Sequence, residues 1–316
     1  MLKKILIFGI SGQDGSYLAD YLIKKKKYKI YGISRKKNIS SLKKLKISNK
    51  IKILTLTKNS YQKKLKKILK LNFHDIYFCG GQSSVKDSFF LKEYETYESQ
   101  ILPVKIILEY IRNQKKKSKF LYFASSEIFG DKKKKKIKEN DTKNPLSPYA
   151  LAKLASFEMI KSYRDMFGIP VFNVILFNHE SPLRDKRFVI MKLILAIKKI
   201  KKNKDKIRMG NINVSRDWGW APEYMQGCYK LMKSKEIEDY IIATGETIPL
   251  KKVLNMIFKI KNLNWKRYIS YDHKNLRRTD IKENFANISK IQKKIKWKPK
   301  VKIREIVKKL YNHKFI

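Results

Sequence analysis

The sequence has little of what holds small secreted or metal-built folds together. Cysteine occurs only twice, as Cys79 and Cys228 in unrelated segments, which excludes a disulfide framework and a CxxC metal site; no metal is expected. Two isolated thiols fit a reducing cytoplasm best. No apolar run approaches the roughly 20 residues that span a bilayer, so a soluble protein without a membrane partner is expected. The opening MLKKILIFGISG has the outline of a signal segment, yet its apolar run is only strand-length and leads straight into glycines, so it reads as a buried strand. There is no internal repeat and no Pro/Gly/Ser-rich linker, so any boundary between lobes is soft. Acidic residues are scarce: 27 Asp+Glu stand against 75 Lys+Arg, a formal net charge of +48. Such a charge ordinarily points to nucleic acid or an anionic membrane. Here the lysines recur throughout, at Lys24 to Lys27, Lys115 to Lys117, Lys132 to Lys136, Lys198 to Lys202 and Lys251 to Lys252, instead of marking one element. That is the pattern of solvated surfaces under AT-biased codon usage. No specific nucleic-acid partner is expected, only nonspecific polyanion binding at low salt.

With 43% apolar residues in 316, the chain can bury a large core. Short apolar runs at Lys4 to Phe8, Lys29 to Ile33, Ile51 to Leu56, Asp75 to Cys79, Phe120 to Ala124, Val171 to Phe177 and Tyr240 to Ala243 alternate with longer segments of helical period. This alternation predicts a parallel sheet with helices on both faces. The last run stands far from the others, so the chain is expected to leave the sheet, build a second lobe and return.

The first strand runs into Gly9-Ile-Ser-Gly12-Gln13-Asp14-Gly15 and then a helix, Ser16 to Lys24, that turns Tyr17, Leu18, Tyr21 and Leu22 inward. Strand, glycines and helix in that order match a dinucleotide pyrophosphate site: a tight turn, close backbone approach, and a helix N-terminus with free N–H groups. Gly9, Gly12, Gln13, Asp14 and Gly15 are the candidate cofactor contacts. The second strand ends at Ser34-Arg35-Lys36-Lys37 without the acidic residue that binds an NAD ribose. A basic residue there pairs with a 2′-phosphate, so NADP is the expected cofactor and Arg35 its first candidate contact. The fold class is therefore α/β, a Rossmann-type doubly wound parallel sheet with a smaller C-terminal substrate-binding lobe. Residues 1–179 are expected to form the NADP-binding domain, with 215–262 partly returning to it, and 180–316 mainly the substrate lobe.

Strand Phe120 to Ala124 ends in Ser125-Ser126-Glu127, and residues just past the carboxyl end of a parallel strand face the ligand crevice. Tyr149 and Lys153, four apart in Ser147-Pro148-Tyr149-Ala-Leu-Ala-Lys153, share one helix face, so the ammonium is expected to lower the phenol's pKa and make Tyr149 a base near neutrality. The spacing GxxGxxG followed by YxxxK resembles that of the short-chain dehydrogenase/reductase superfamily. That resemblance would equally fit a nucleotide-sugar epimerase or reductase of the superfamily, and the charge would permit a dinucleotide- or polyanion-binding protein without activity. Glu127 speaks against a reductase.

The segments GISGQDGSYLADYL, FASSEIFG, SPYALAK, ILFNHESP and SRDWGWAPEY resemble those of the GDP-mannose 4,6-dehydratases, extended members of that superfamily. The resemblance implies an NADP-dependent lyase that loses no net hydride. Tyr149 would take the C4 hydroxyl proton as hydride passes to NADP⁺. Glu127 would remove the C5 proton and help water leave from C6, where the hydride returns. Ser125 would hydrogen-bond the C4 oxygen, and Lys153 would hold Tyr149 and the nicotinamide ribose. Asn178 is similar to the family's residue near substrate and nicotinamide, and Arg216 and Arg277 to arginines that contact the nucleotide diphosphate. A guanidinium fork suits that group. His179 is given no catalytic role, only one in ordering its loop. The chain departs from the family pattern at Thr55, Ser84, Leu183 and in Arg277-Arg278-Thr279-Asp280. The loop after the second strand, which supports a tetramer in the family, is shortened to Lys36 to Ser41. A homo-oligomer, dimer or tetramer, is expected.

Overall fold

Apolar, β-branched segments too short for helices become buried strands wherever both faces are covered. In the computed structural model, which describes residues 2–35, 39–57, 61–90, 92–132, 135–200, 206–272 and 279–315, the strands are β1 (Lys3–Phe8), β2 (Tyr28–Ser34), β3 (Ile51–Thr55), β4 (Asp75–Phe78), β5 (Lys119–Ser125), β6 (Val171–Leu176), β7 (Asn178–Glu180), β8 (Ile207–Met209), β9 (Ser215–Trp220), β10 (Tyr240–Ile242), β11 (Thr247–Pro249) and β12 (Ile269–Tyr271). The helices are α1 (Gln13–Lys24), α2 (Ser40–Lys44), α3 (Tyr61–Leu69), α4 (Val85–Ser88), α5 (Glu93–Arg112), α6 (Pro148–Phe167), α7 (Val189–Lys199), α8 (Ala221–Lys233), α9 (Leu250–Lys259), α10 (Ser289–Ile295) and α11 (Ile303–Tyr311).

All seven apolar runs enter one parallel sheet in the order β10-β6-β5-β4-β1-β2-β3. This is the doubly wound arrangement read from the sequence. Chain order reverses at β1, which pairs with both β2 and β4, so a crevice opens beyond the carboxyl ends of β1 and β4. One face of the sheet packs on α3, α5 and α6 through Leu65, Leu69, Ile107, Ile111, Phe157 and Ile160. The other packs on α1 and α8 through Leu18, Leu22, Met225 and Leu231. In α1 the two leucines are buried as expected, but Tyr17 and Tyr21 are only half-buried, and Tyr21 rests edge-on against Tyr229 with ring centres 5.3 Å apart.

A third core joins α7, α9 and α11 with Ile207, Met209, Trp218 and Tyr268 to make the smaller lobe. Chain order and core membership part company in two places. Helix α9 falls within 215–262, yet Val253, Leu254, Ile257 and Phe258 pack in the lobe; the part that returns to the sheet is α8 and β10. Conversely Ala286, Ile291 and Trp297, from the segment assigned to the lobe, pack against the main sheet. Helical periodicity shows that a face is buried and is silent about which core receives it.

The glycine turn is fixed by close contact. Gly9 adopts φ +73°, and a Cβ on Gly15 would lie 2.4 Å from the Gly9 carbonyl oxygen and 2.8 Å from the Ile10 Cα. Gly15→Ala must therefore move backbone, at a cost of about 1–3 kcal/mol. It is expected to lower Tm by several degrees and weaken dinucleotide binding at least tenfold, whereas Gly12→Ala, with its nearest contact at 3.2 Å, keeps a Tm close to the parent. Thermal unfolding, with cofactor titration for Gly15→Ala, checks this, and equal losses of Tm at the two positions would contradict the close-contact account.

Candidate active site

The carboxyl ends of β4, β5 and β6 and the lobe segment around α7 enclose a cleft of about 360 Å³, within the range of small-molecule sites. Ser125, Glu127, Tyr149, Lys153, Asn178 and Arg216 all line it, so the structure gathers into one place residues spread over about a third of the chain. Arg277 lies outside the described residues.

Ser125 is the last residue of β5, and its Oγ accepts from the Glu127 N–H at 3.3 Å, capping the short turn Ser126–Phe129. This bond sets the direction in which Glu127 leaves the strand. Helix α6 starts sharply because Ser147 caps it, accepting from the Ala150 N–H at 3.1 Å with Pro148 following, and it stops at Gly168 in the left-handed conformation. The start is anchored again where the Tyr149 N–H donates to Ser88 Oγ at 3.2 Å. Tyr149 and Lys153 thereby point from one buried face into the cleft.

The electrostatics differ from the simple expectation for this pair. Burial pushes the Tyr149 phenol up to about 12; the Ser125 hydrogen bond and Arg184 pull the other way, and Glu127 and Asp14 add to the rise. Burial also pushes the Lys153 ammonium down to about 7, against the pull of Cys79 and Asp14, and its Nζ donates to the Phe123 carbonyl at 2.7 Å. The lysine thus loses much of its charge near neutrality and does not by itself lower the phenol, because desolvation outweighs the pair interaction in the closed protein interior.

A stability consequence follows. Below pH 7 the fold must bury the ammonium. Between about pH 7 and the ordinary 10.5, folding releases a proton and stability rises by ~1.4 kcal/mol per pH unit. Lys153→Met removes this titration, so its gain in thermal stability over the parent is largest below pH 7 and fades toward pH 10.5, while turnover falls at least a hundredfold. Unfolding scans across this pH range test it. Parallel curves for the two proteins would show that the amine titrates normally.

Gln13 and Asp14 stand in the first turn of α1, but their side chains face the strand after β6. His179 Nε2 lies 2.9 Å from Asp14 Oδ1 and its Nδ1 2.7 Å from the Phe177 carbonyl, while Ser181 Oγ donates to Gln13 Oε1 at 2.7 Å. Burial works against the Asp14 charge, yet the His179 ring, with Gln13 and Arg184, brings the carboxyl down to about 2. Two motifs that look separate in sequence are thus one interlocked unit, with His179 as its tie. What remains for a dinucleotide is the backbone: the α1 N-terminus has no side-chain cap, so its first N–H groups are open to a phosphate beside the Gly9 and Gly15 cradle.

Arg35, at the end of β2, is exposed and forms an ion pair with Glu95 of α5. Arg216 is buried, donating from Nη1 to the Ser215 carbonyl at 2.9 Å and from Nη2 to Asp280 Oδ1 at 3.1 Å. Its neighbour Asp217 accepts from the Thr244 N–H and hydroxyl and from the Gly245 N–H, which ties β9 to the chain leaving β10. Sequence reasoning did not single out Arg184 or Lys192, which also line the cleft. In so basic a chain neither carried a distinguishing signal.

A profile described as GDP-mannose 4,6 dehydratase matches residues 6–310. The chain belongs to the GDP-mannose 4,6-dehydratase family. It is 34% identical to a GDP-mannose 4,6 dehydratase of Dictyostelium discoideum, over 98% of this chain and 94% of that protein, and 31% identical to GDP-mannose 4,6 dehydratase 1 of Arabidopsis thaliana, over 97% and 88%. Among solved structures it resembles a UDP-glucuronic acid 4-epimerase of Bacillus cereus in complex with UDP-glucuronic acid and NAD, with a TM-score of 0.86, 20% identity and 98% of both chains covered. The last likeness concerns the fold alone. Among its described residues no helix is long and apolar enough to cross a membrane.

Proposed function

We propose that this protein is a GDP-mannose 4,6-dehydratase, converting GDP-mannose to GDP-4-keto-6-deoxymannose with NADP and loss of water. The observation that carries the reading is the placement of the Glu127 carboxylate in the same cleft as Ser125 and Tyr149. Oxidation and reduction of a hydroxyl need only the phenol and the hydroxyl; a carboxylate beside them adds the base that elimination requires.

Bound NADP⁺ supplies a reversible hydride acceptor. The chain's own residues do the rest. Tyr149 takes the C4 hydroxyl proton, and Ser125 hydrogen-bonds the C4 oxygen and holds the phenol in line. The resulting ketone acidifies the C5 proton, which Glu127 removes; the same carboxyl then protonates the departing C6 hydroxyl. Lys153 orients Tyr149 and the ribose of the dinucleotide. Residues 9–15 and the α1 N-terminus receive the pyrophosphate, and Arg35 the 2′-phosphate once it leaves Glu95. Asn178 borders the sugar, and Arg216 and Arg277 serve the nucleotide end. The protein acts in the cytoplasm as a homo-oligomer.

The test is to incubate purified protein with GDP-mannose and a catalytic amount of NADP⁺ and to look by mass spectrometry for sugar nucleotide that has lost one water. Its appearance without net NADPH supports the dehydratase. Bound cofactor with unchanged or epimerised sugar nucleotide refutes it.

A further inference from the structure

The amino ends of β4 and β5, opposite the catalytic cleft, border a second recess. It lies between α3 and α5, beside the loop that leads into β5, and has a volume of about 1430 Å³. Lys66 and Lys70 of α3, Lys105 of α5 and Lys115 to Lys117 of the loop line it, all exposed. The basic composition of the chain does not account for this. The whole chain carries 75 Lys and Arg to 27 Asp and Glu, and the catalytic cleft six to four; among the described residues of the recess seven lysines meet one acid, Glu109. That acid is taken up by Arg112, at 2.8 Å, and by the Tyr163 hydroxyl. The basic track continues past the buried Asp75, whose carboxylate holds His74 at 2.7 Å on one side and Lys233 at 2.9 Å on the other. Beyond it Lys3, Lys27 and Lys233 border a smaller hollow with Tyr28 and Tyr229. Lysines scattered along the sequence thus converge on one face of the fold.

We propose that this face binds single-stranded nucleic acid along its phosphate chain, without reading its sequence. Charges strung along a polymer match lysines strung along a groove, and each neutralised phosphate releases condensed counterions. The floor of the recess is apolar: Phe73 and Ile106 lie buried beneath the exposed lysines. Tyr110 stands beside them, its hydroxyl donating to Asn72 Oδ1 at 2.7 Å and accepting from Gln114 Nε2 at 3.0 Å, which fixes the ring. A nucleic-acid strand supplies both parts, phosphates for the rim and flat bases for the floor and the ring. A bilayer surface needs the reverse order, with apolar residues projecting past the charges. An acidic peptide brings the charges without the rings. The site stands at the other end of the sheet from Ser125, Glu127 and Tyr149, so it is independent of the dehydratase reading.

The experiment is fluorescence anisotropy of a labelled oligouridylate of about twelve nucleotides, titrated with the full chain at salt from about 50 to 200 mM. One variant combines Lys66→Gln, Lys70→Gln, Lys105→Gln and Lys115→Gln. A second combines Lys251→Gln, Lys252→Gln, Lys293→Gln and Lys308→Gln, exposed lysines of α9, α10 and α11 that lie outside the recess. Both lose the same net charge, so only location distinguishes them. The recess variant is expected to bind roughly tenfold or more weaker, with the slope of log affinity against log salt reduced by about three; the second stays within about twofold of the parent. Thermal unfolding checks that both remain folded. Saturating NADP⁺ with GDP-mannose is expected to leave the affinity unchanged, and polyglutamate of equal charge to compete poorly. Equal losses in the two variants would reduce the effect to composition and overturn the proposal. Displacement by NADP⁺ with GDP-mannose would move the strand to the catalytic cleft, and equal competition by polyglutamate would give the face to an acidic protein; either result also overturns it.

Discussion

Tyr149→Phe is expected to lower turnover of GDP-mannose by a factor on the order of 10³ or more, with the fold intact. General-base removal costs about 10²–10⁴ on its own, and the phenol shares its cleft with Ser125 and Glu127. The phenol is pushed up to about 12 by burial in the free protein, so its ionisation depends on groups that assemble around it. Ser125 is one, and the positive charge of an oxidised nicotinamide is another. Phenylalanine keeps the buried ring and the helix-start bond from the Tyr149 backbone to Ser88, so thermal stability should change by no more than a few degrees. Steady-state rates, with unfolding scans as the control, check this. Turnover within tenfold of the parent would remove Tyr149 from the chemistry.

The second large effect separates the two halves of the reaction. In Glu127→Gln the Ser125, Tyr149 and Lys153 constellation persists, and the backbone N–H at position 127 still donates to Ser125, since that bond uses no side-chain atom of the substituted residue. Oxidation at C4 should therefore proceed while elimination stops. Overall dehydration is expected to drop by about 10²–10⁴, with reduced cofactor accumulating on the enzyme in a single turnover and solvent deuterium no longer entering C5. A variant that dehydrates like the parent would show that another group removes the C5 proton.

The seven strands, their parallel pairing and the glycine turn were legible because each follows from a local pattern: an apolar run of strand length, a helical period behind it, and glycines where a Cβ would meet the Gly9 carbonyl. The residues of the cleft were legible for a related reason. Ser125 and Glu127 follow a strand's carboxyl end, and a helix cap places Tyr149 and Lys153 on one face, so chain position implies their location. Other features have no local signature. The pairing of Asp14 with His179 joins residues far apart in the chain, and the two motifs read as independent until the sheet brings them together. The sharing of α9 and residues 286–297 between cores depends on which apolar face meets which.

The sequence by itself determined the architecture and which hydroxyl, phenol and carboxylate line the cleft, since strand periodicity, glycine conformation and helix caps belong to single residues and short segments. Only the tertiary structure decided the charge states. Burial raises Tyr149 and lowers Lys153, and desolvation is a property of the whole enclosing surface, to which no one segment of the chain holds the key.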